Sequence, residues 1–191
     1  MRICTKEEIA SWYSQVQSTV EKRMLTIEDP SQYLPDGWFG TALDILNVDN
    51  MPELGRLWIV LRQKFLQDRF LRAFSLWCVD HIDKSLIVDE SGLNALIASM
   101  KFLHGDISAM DMSYASRQAL AAAILEEGKG NHLSALALMA TSVVCLQSPS
   151  QAAYYAASYT HHLGSHCDEF NPIEFLKNAL EGGSKPENAN S

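Results

Sequence analysis

Four side chains that can hold a metal ion or move a proton crowd into seven residues late in the chain: His161, His162, His166 and Cys167. Imidazole nitrogen and thiolate are ordinary zinc donors, and His162 and His166, four apart, would share one face of a continuous helix. Gly164 lies between them, however, and is predicted to end that helix, which spoils the geometry. The cluster also lacks the paired ligand spacings of structural zinc. Cys78 and His81, three apart, form a second pair, but Cys78 belongs to an apolar stripe. His161 or His166 could act as a general base oriented by Asp168 or Glu169 if a cleft surrounded it. A surface histidine near a helix C-terminus, favourable to the helix dipole, explains the same residues more simply. Tyr154, Tyr155 and Tyr159 could stack on a ligand; their spacing suits gap-filling among alanines better.

Signatures of other chemistries are missing. There is no nucleophile elbow, no HExxH and no dinucleotide-binding glycine fingerprint. The run Glu126-Glu-Gly-Lys-Gly-Asn131 has some of the look of a phosphate loop. It lacks the glycine spacing and the Ser/Thr after Lys, and it follows a helix, so a helix C-cap and turn is the reading. Neither a catalytic residue nor a cofactor is expected, and the chain is read as a non-enzyme.

The elements that would position any site are helical. The run from Asp68 to Ile82 puts Phe70, Leu71, Phe74, Trp77, Cys78 and Ile82 on one stripe, and is the expected central helix. Burying six such side chains is worth about 10 kcal/mol before conformational entropy is subtracted. Thr5-Lys-Glu-Glu8 reads as a capping box opening a first helix through Ile9, Trp12, Tyr13, Val16 and Val20 to about Met24. Pro30, Pro35 and Gly37 make residues 28–37 a loop. A short helix is predicted from Trp38 to Leu46, with Phe39, Leu43 and Leu46 inward. Another, capped by Asn50, carries Leu54, Leu57, Trp58, Leu61 and Phe65 inward, with a bend at residues 66–68.

Beyond Ile82, Asp89 or Ser91 caps a helix carrying Leu93, Leu96, Ile97, Met100 and Leu103 and stopped by Gly105, and a helix from about Met110 to Glu127 follows. The next covers roughly His132 to Gln147. Ser148-Pro-Ser-Gln151 and Asn171-Pro-Ile-Glu174 open the last two, which Gly164 and Gly182-Gly183 close. Residues 184–191 are expected to be a disordered tail. No stretch shows the alternation of a strand flanked by hairpin turns. The expectation is all-α: one domain over residues 1–183, a bundle of about seven to nine helices. Twelve alanines between Ala115 and Ala157 predict tight antiparallel hairpins, with a hint of solenoid-like stacking.

Composition narrows the partners. The chain has 191 residues, 47% of them apolar, and a net charge of −8, which repels nucleic-acid phosphates and favours a basic partner. The N-terminus lacks a signal peptide's apolar core, and the best candidate span, Ala135 to Leu146, is interrupted by Thr141 and Ser142 and too short to cross a bilayer. Four scattered cysteines (Cys4, Cys78, Cys145, Cys167) read as free thiols, so the expected location is the cytoplasm, away from any membrane. Charge is also segregated. Met24 to Gly55 carries six acids and no base, whereas Arg56 to Arg72 carries five bases against Asp68. The two stretches could neutralise each other. The sharper reading makes the acidic stretch a docking surface for a basic protein, through Tyr33, Asp36, Trp38, Phe39, Asp44, Asp49 and Glu53.

Over about residues 68–160 the chain resembles the all-helical immunity proteins of bacterial polymorphic-toxin and contact-dependent inhibition systems. The likeness lies in Asp68-Arg-Phe-Leu-Arg-Ala-Phe-Ser-Leu-Trp-Cys-Val-Asp-His81, in Asp89-Glu90 opening a helix, in Lys101-Phe-Leu-His-Gly105, and in the alanine helices through Ala157. It implies a cytoplasmic protein that binds and blocks a cognate toxin delivered from a neighbouring cell, with no catalytic residue of its own. Nuclease toxins are typically basic, so an acidic inhibitor gains association rate and can occlude the active site. A helical-repeat scaffold or adaptor with another protein partner is the alternative.

Overall fold

The computed structural model describes residues 2–17 and 27–182. The expected end of the first helix, with Val20, and the 184–191 tail lie outside these residues. Among them are nine α-helices and one sheet of two short strands, so the class is all-α as predicted. The chain divides into two units, residues 1–65 with 171–191, and residues 66–170.

In the first unit, strand β1 (Ile3–Thr5) pairs antiparallel with β2 (Phe39–Thr41), in the register Ile3↔Thr41, Cys4↔Gly40 and Thr5↔Phe39. The sequence pattern does not show this sheet because each strand has only three residues, too few for a visible alternation. Gly40 has a specific reason to be glycine. A Cβ there would stand 2.5 Å from a ring carbon of Trp38, whose indole lies across the backbone. Thr5 ends β1 and caps α1 (described as Lys6–Gln17): Glu8 N–H donates to Thr5 Oγ1 and Thr5 N–H to Glu8 Oε2, the reciprocal pair predicted.

The predicted Trp38–Leu46 helix shrinks to α2 (Ala42–Leu46). Residues 39–41 are taken by the sheet, which turns Phe39 outward where the predicted helix would have placed it inward, and Thr41 with Asp44 forms a second capping box. Helix α3 (Glu53–Val60) buries Leu57, Trp58, Ile59 and Val60. It begins after Pro52, without a side-chain cap from Asn50, and it ends before Phe65. The carbonyls of Gln63 and Lys64 accept from the Arg2 guanidinium, at 3.1 and 2.9 Å, in place of helical donors. Arg62 lies 4.0 Å from the Trp58 ring and 4.9 Å from Trp12, a cation–π stack. The last helix, α9 (Pro172–Leu180), capped by Asn171 as predicted, returns to pack on α2 and α3.

The second unit holds the other five: α4 (Asp68–Asp80), α5 (Glu90–His104), α6 (Ala109–Gly128), α7 (His132–Val143) and α8 (Pro149–Leu163). Their predicted caps are present at Asp89, Ser148 and Gly105, the last with φ +85°. Short loops make α5 to α8 successive antiparallel neighbours. Ala119, Ala122 and Ala123 of α6, Ala135, Ala137 and Ala140 of α7, and Ala152, Ala153, Ala156 and Ala157 of α8 are buried, which lets the axes approach. Ser116 Oγ donates to Ser142 O across the α6–α7 pair, early residue to late residue.

The central helix of this unit is α7, which touches α4, α5, α6 and α8. The apolar stripe points to α4 instead, and the structure corrects it. Leu71, Phe74, Cys78 and Ile82 of the stripe are buried, but Phe70 and Trp77 are only half-buried, while Arg72 and Ser75 are inside. Size explains the exchange. A helix surrounded on several sides must be lined with small residues, whereas α4 buries Phe74 on its inner side and leaves Trp77 half-exposed, stacked on Phe74 with ring centroids 5.6 Å apart and tilted against Phe170 at 5.5 Å.

Candidate protein-binding surface

The segment from Tyr33 to Glu53 belongs to the first unit and is built around the two-stranded sheet. Pro35 to Trp38 form a tight turn, with Trp38 N–H donating to Pro35 O and Gly37 at φ +73°, a value that favours glycine. The turn delivers the chain into β2, where side chains alternate between faces. Cys4 and Gly40 point inward and are buried. Ile3 and Phe39 point outward, 55% and 71% exposed, so a large aromatic ring stands in water beside the acids of the same segment.

Those acids are not equivalent. Asp36 is exposed and accepts from Lys6 Nζ at 2.7 Å; that hydrogen bond holds its carboxyl below the usual range. Asp44 is exposed at the start of α2, where its Oδ2 accepts from Thr41 N–H and Thr41 Oγ1, both at 2.7 Å. These bonds likewise lower its pKa. Asp44 therefore serves the fold as well as the surface potential. Asp49 is exposed in the turn after α2. Trp38 is half-buried against Gly40, and Glu53 is half-buried at the start of α3. Tyr33, half-buried on the short 3-10 turn Pro30–Tyr33, donates its hydroxyl to Glu28 Oε2 at 3.2 Å. Within this unit the ion pairs Lys6–Asp36 and Lys64–Glu8 bring Lys6 to the acidic stretch and an N-terminal glutamate to the basic one.

The histidine cluster is dispersed by local structure. His161 and His162 close α8, and His162 Nδ1 lies 2.6 Å from Ser158 O, its own preceding turn. Gly164, at φ +53°, ends the helix as predicted, and His166 lies on a separate 3-10 turn, Gly164–His166. Cys167 forms a β-bridge with Ile82, its thiol donates to Thr160 O, and burial raises its pKa. His81 packs its ring on Trp77, with centroids 4.4 Å apart, whereas Cys78 is fully buried. Among the described residues, no three His, Cys, Asp or Glu side chains come together in a way that could hold a metal ion. The Glu126–Asn131 run is a helix end and turn, as its sequence predicts: the Glu126 carboxylate accepts from Asn131 Nδ2 and Lys129 Nζ, each at 2.6 Å.

One residue that the pattern reading overlooks is Arg72. It is 7% exposed, and its guanidinium donates to Leu146 O at 3.1 Å and Gln147 O at 2.7 Å while lying 4.9 Å from the Phe102 ring. A positive group thus pins the connection between α7 and α8, at the third and fourth residues beyond the end of α7. The basic residue inside an otherwise apolar stripe, with Asp68 four residues earlier, is the available signal.

No helix among the described residues is long and apolar enough to cross a membrane. No family model matches this chain, and no curated protein or solved structure matches it either.

Proposed function

We propose that this chain is a non-catalytic immunity protein of the cytoplasm, which neutralises a cognate basic, nuclease-type toxin by occluding its active site. The observation that carries the reading is Phe39: a ring 71% exposed on the outward face of a small sheet, in the same segment as the exposed carboxylates of Asp36, Asp44 and Asp49. Aromatic anchors are enriched at protein interfaces, and carboxylates around one favour encounter with a basic surface. The platform is ordered beforehand by strand pairing, the Gly37 turn and the Thr41–Asp44 capping box, which reduces the entropy cost of binding. The net charge of −8 acts in the same direction.

The test is co-expression with the protein encoded directly upstream, where the toxin of such a pair is expected. Growth should be protected by this chain and lost on Phe39→Asp or Asp49→Lys, with helical content unchanged. A helical scaffold is the alternative, supported by the antiparallel hairpins α5–α8. It predicts complex formation with no protection from a toxin.

A further inference from the structure

In the second unit, the outward faces of α5 and α6 repeat a spacing that normally marks a buried seam. On α6 the residues Met110, Tyr114, Arg117, Ala121, Ile124 and Gly128 follow one another at four, three, four, three and four, and all six are exposed. On α5, Leu93, Ile97 and Met100 follow the same rule and are exposed too. A 4–3 alternation is the signature of helices that pack lengthwise against another helix. The inward face of α6 is already used, by Met112 and the buried alanines, so the outer seam is a second apolar face on the same helix.

Its extent is large for a free surface. Met110 is 78% exposed, Leu125 64%, Ile124 60% and Tyr114 59%. With Leu120 and the three residues of α5, these side chains present on the order of 700–800 Å², more than the ~300–600 Å² patch of an ordinary monomer and close to the ~800 Å² each partner buries in a standard interface.

The order of residues along α6 indicates the occupant. Laid antiparallel on itself about a two-fold axis level with the midpoint between Arg117 and Ala121, the seam pairs Met110 with the partner's Gly128, Tyr114 with the partner's Ile124, and Arg117 with the partner's Ala121. Met110 and Arg117 meet the small Gly128 and Ala121, Tyr114 meets Ile124, and the one polar side chain, Arg117, falls only in the two symmetry-related layers that flank the axis, the kind of arrangement by which seams fix register. Arg117, with an alanine opposite, has room to carry its guanidinium to the rim while its stem stays in the seam. Self-complementarity of this kind is what a two-fold interface requires. We infer that the exposed α5–α6 face is the interface with a second copy of this chain, α6 lying antiparallel on the α6 of that copy.

The experiment is sedimentation and light scattering on the full chain, from about 1 to about 200 µM, since self-association depends on concentration. The expected species is a dimer of twice the 21.3 kDa chain. Tyr114→Glu alone and Ile124→Arg alone should each raise the dimer dissociation constant about tenfold or more. Both positions are exposed, so circular dichroism should be unchanged. In the stated register the two positions face each other across the axis, so the double variant carrying both changes should regain the dimer to within about fivefold of the parent through two new ion pairs. A chain that stays monomeric throughout overturns the proposal, as does a dimer that neither single change weakens. A double variant no better than the singles overturns the antiparallel register.

Discussion

Arg72 shows how much can rest on one side chain. Its guanidinium is shielded from water, which lowers its pKa, while Asp68 favours the charge. Two carbonyls of the α7–α8 connection depend on it. Arg72→Ala should cost about 2–4 kcal/mol in urea unfolding, the usual range for charge-assisted bonds lost from a shielded site. Arg72→Lys should recover only part, because an ammonium cannot present the planar fork that reaches both oxygens. Trp77→Ala should cost about 2–3 kcal/mol, below the range for a fully buried ring, since Trp77 is only half-buried and part of its energy is stacking.

The thiols make a further residue-scale prediction. Burial pushes Cys145 up to about 12 and Cys4 to about 11, so at pH 8 both should react with an alkylating reagent far more slowly in the folded chain than in urea. Equal rates in the two states would contradict their placement.

At the scale of elements, turns and caps decide where helices begin. The carboxylates of Asp44, Asp83, Asp89 and Asp111 accept hydrogen bonds at helix starts, and those bonds depress their pKa values. A carboxylate with a folded pKa below its unfolded value contributes stability that is fully present above the unfolded value, near 3.9, and is lost as pH falls through the folded one. These groups should therefore leave stability flat between pH 7 and 5 and lower it below about pH 4, read as the midpoint of thermal unfolding. A midpoint that rises on acidification would contradict this. Gly40→Ala should cost about 1–3 kcal/mol and change the Trp38 fluorescence, because the new Cβ displaces the indole.

Legibility in the sequence follows the same division. Caps are local and chemical, so Thr5, Asp89, Ser148, Asn171 and Gly105 can be read directly. The β1–β2 pairing joins residues some 36 apart, and three-residue strands leave no period to detect. Helix α3 is over-extended by its pattern because Leu61 and Phe65 continue the apolar spacing of Leu54, Leu57 and Trp58; the carbonyls of Gln63 and Lys64 instead accept from Arg2, some sixty residues away. Of the contact segment, the acids and aromatics are legible as types. That Asp44 is committed to a cap while Phe39 stands free on the sheet's outer face follows from the pairing register alone. The outer seam of α6 is hidden by its neighbours: with apolar residues on both faces, the helix shows no polar side from which to infer an inside.

For the whole molecule, the central claim is recognition without chemistry: an acidic, prearranged surface that covers a basic partner. The direct measurement is stopped-flow association of the full chain with the purified protein encoded directly upstream, the toxin that the proposal expects, across a range of salt. The account predicts a one-to-one complex whose association rate falls steeply with ionic strength. It also predicts that Asp49→Lys slows association and flattens that dependence, while Phe39→Ala mainly hastens dissociation. Reversing Asp49 is the cleaner change, because reversing Asp44 would also remove the α2 cap. An association rate indifferent to salt and to both substitutions, or no complex at all, would contradict it.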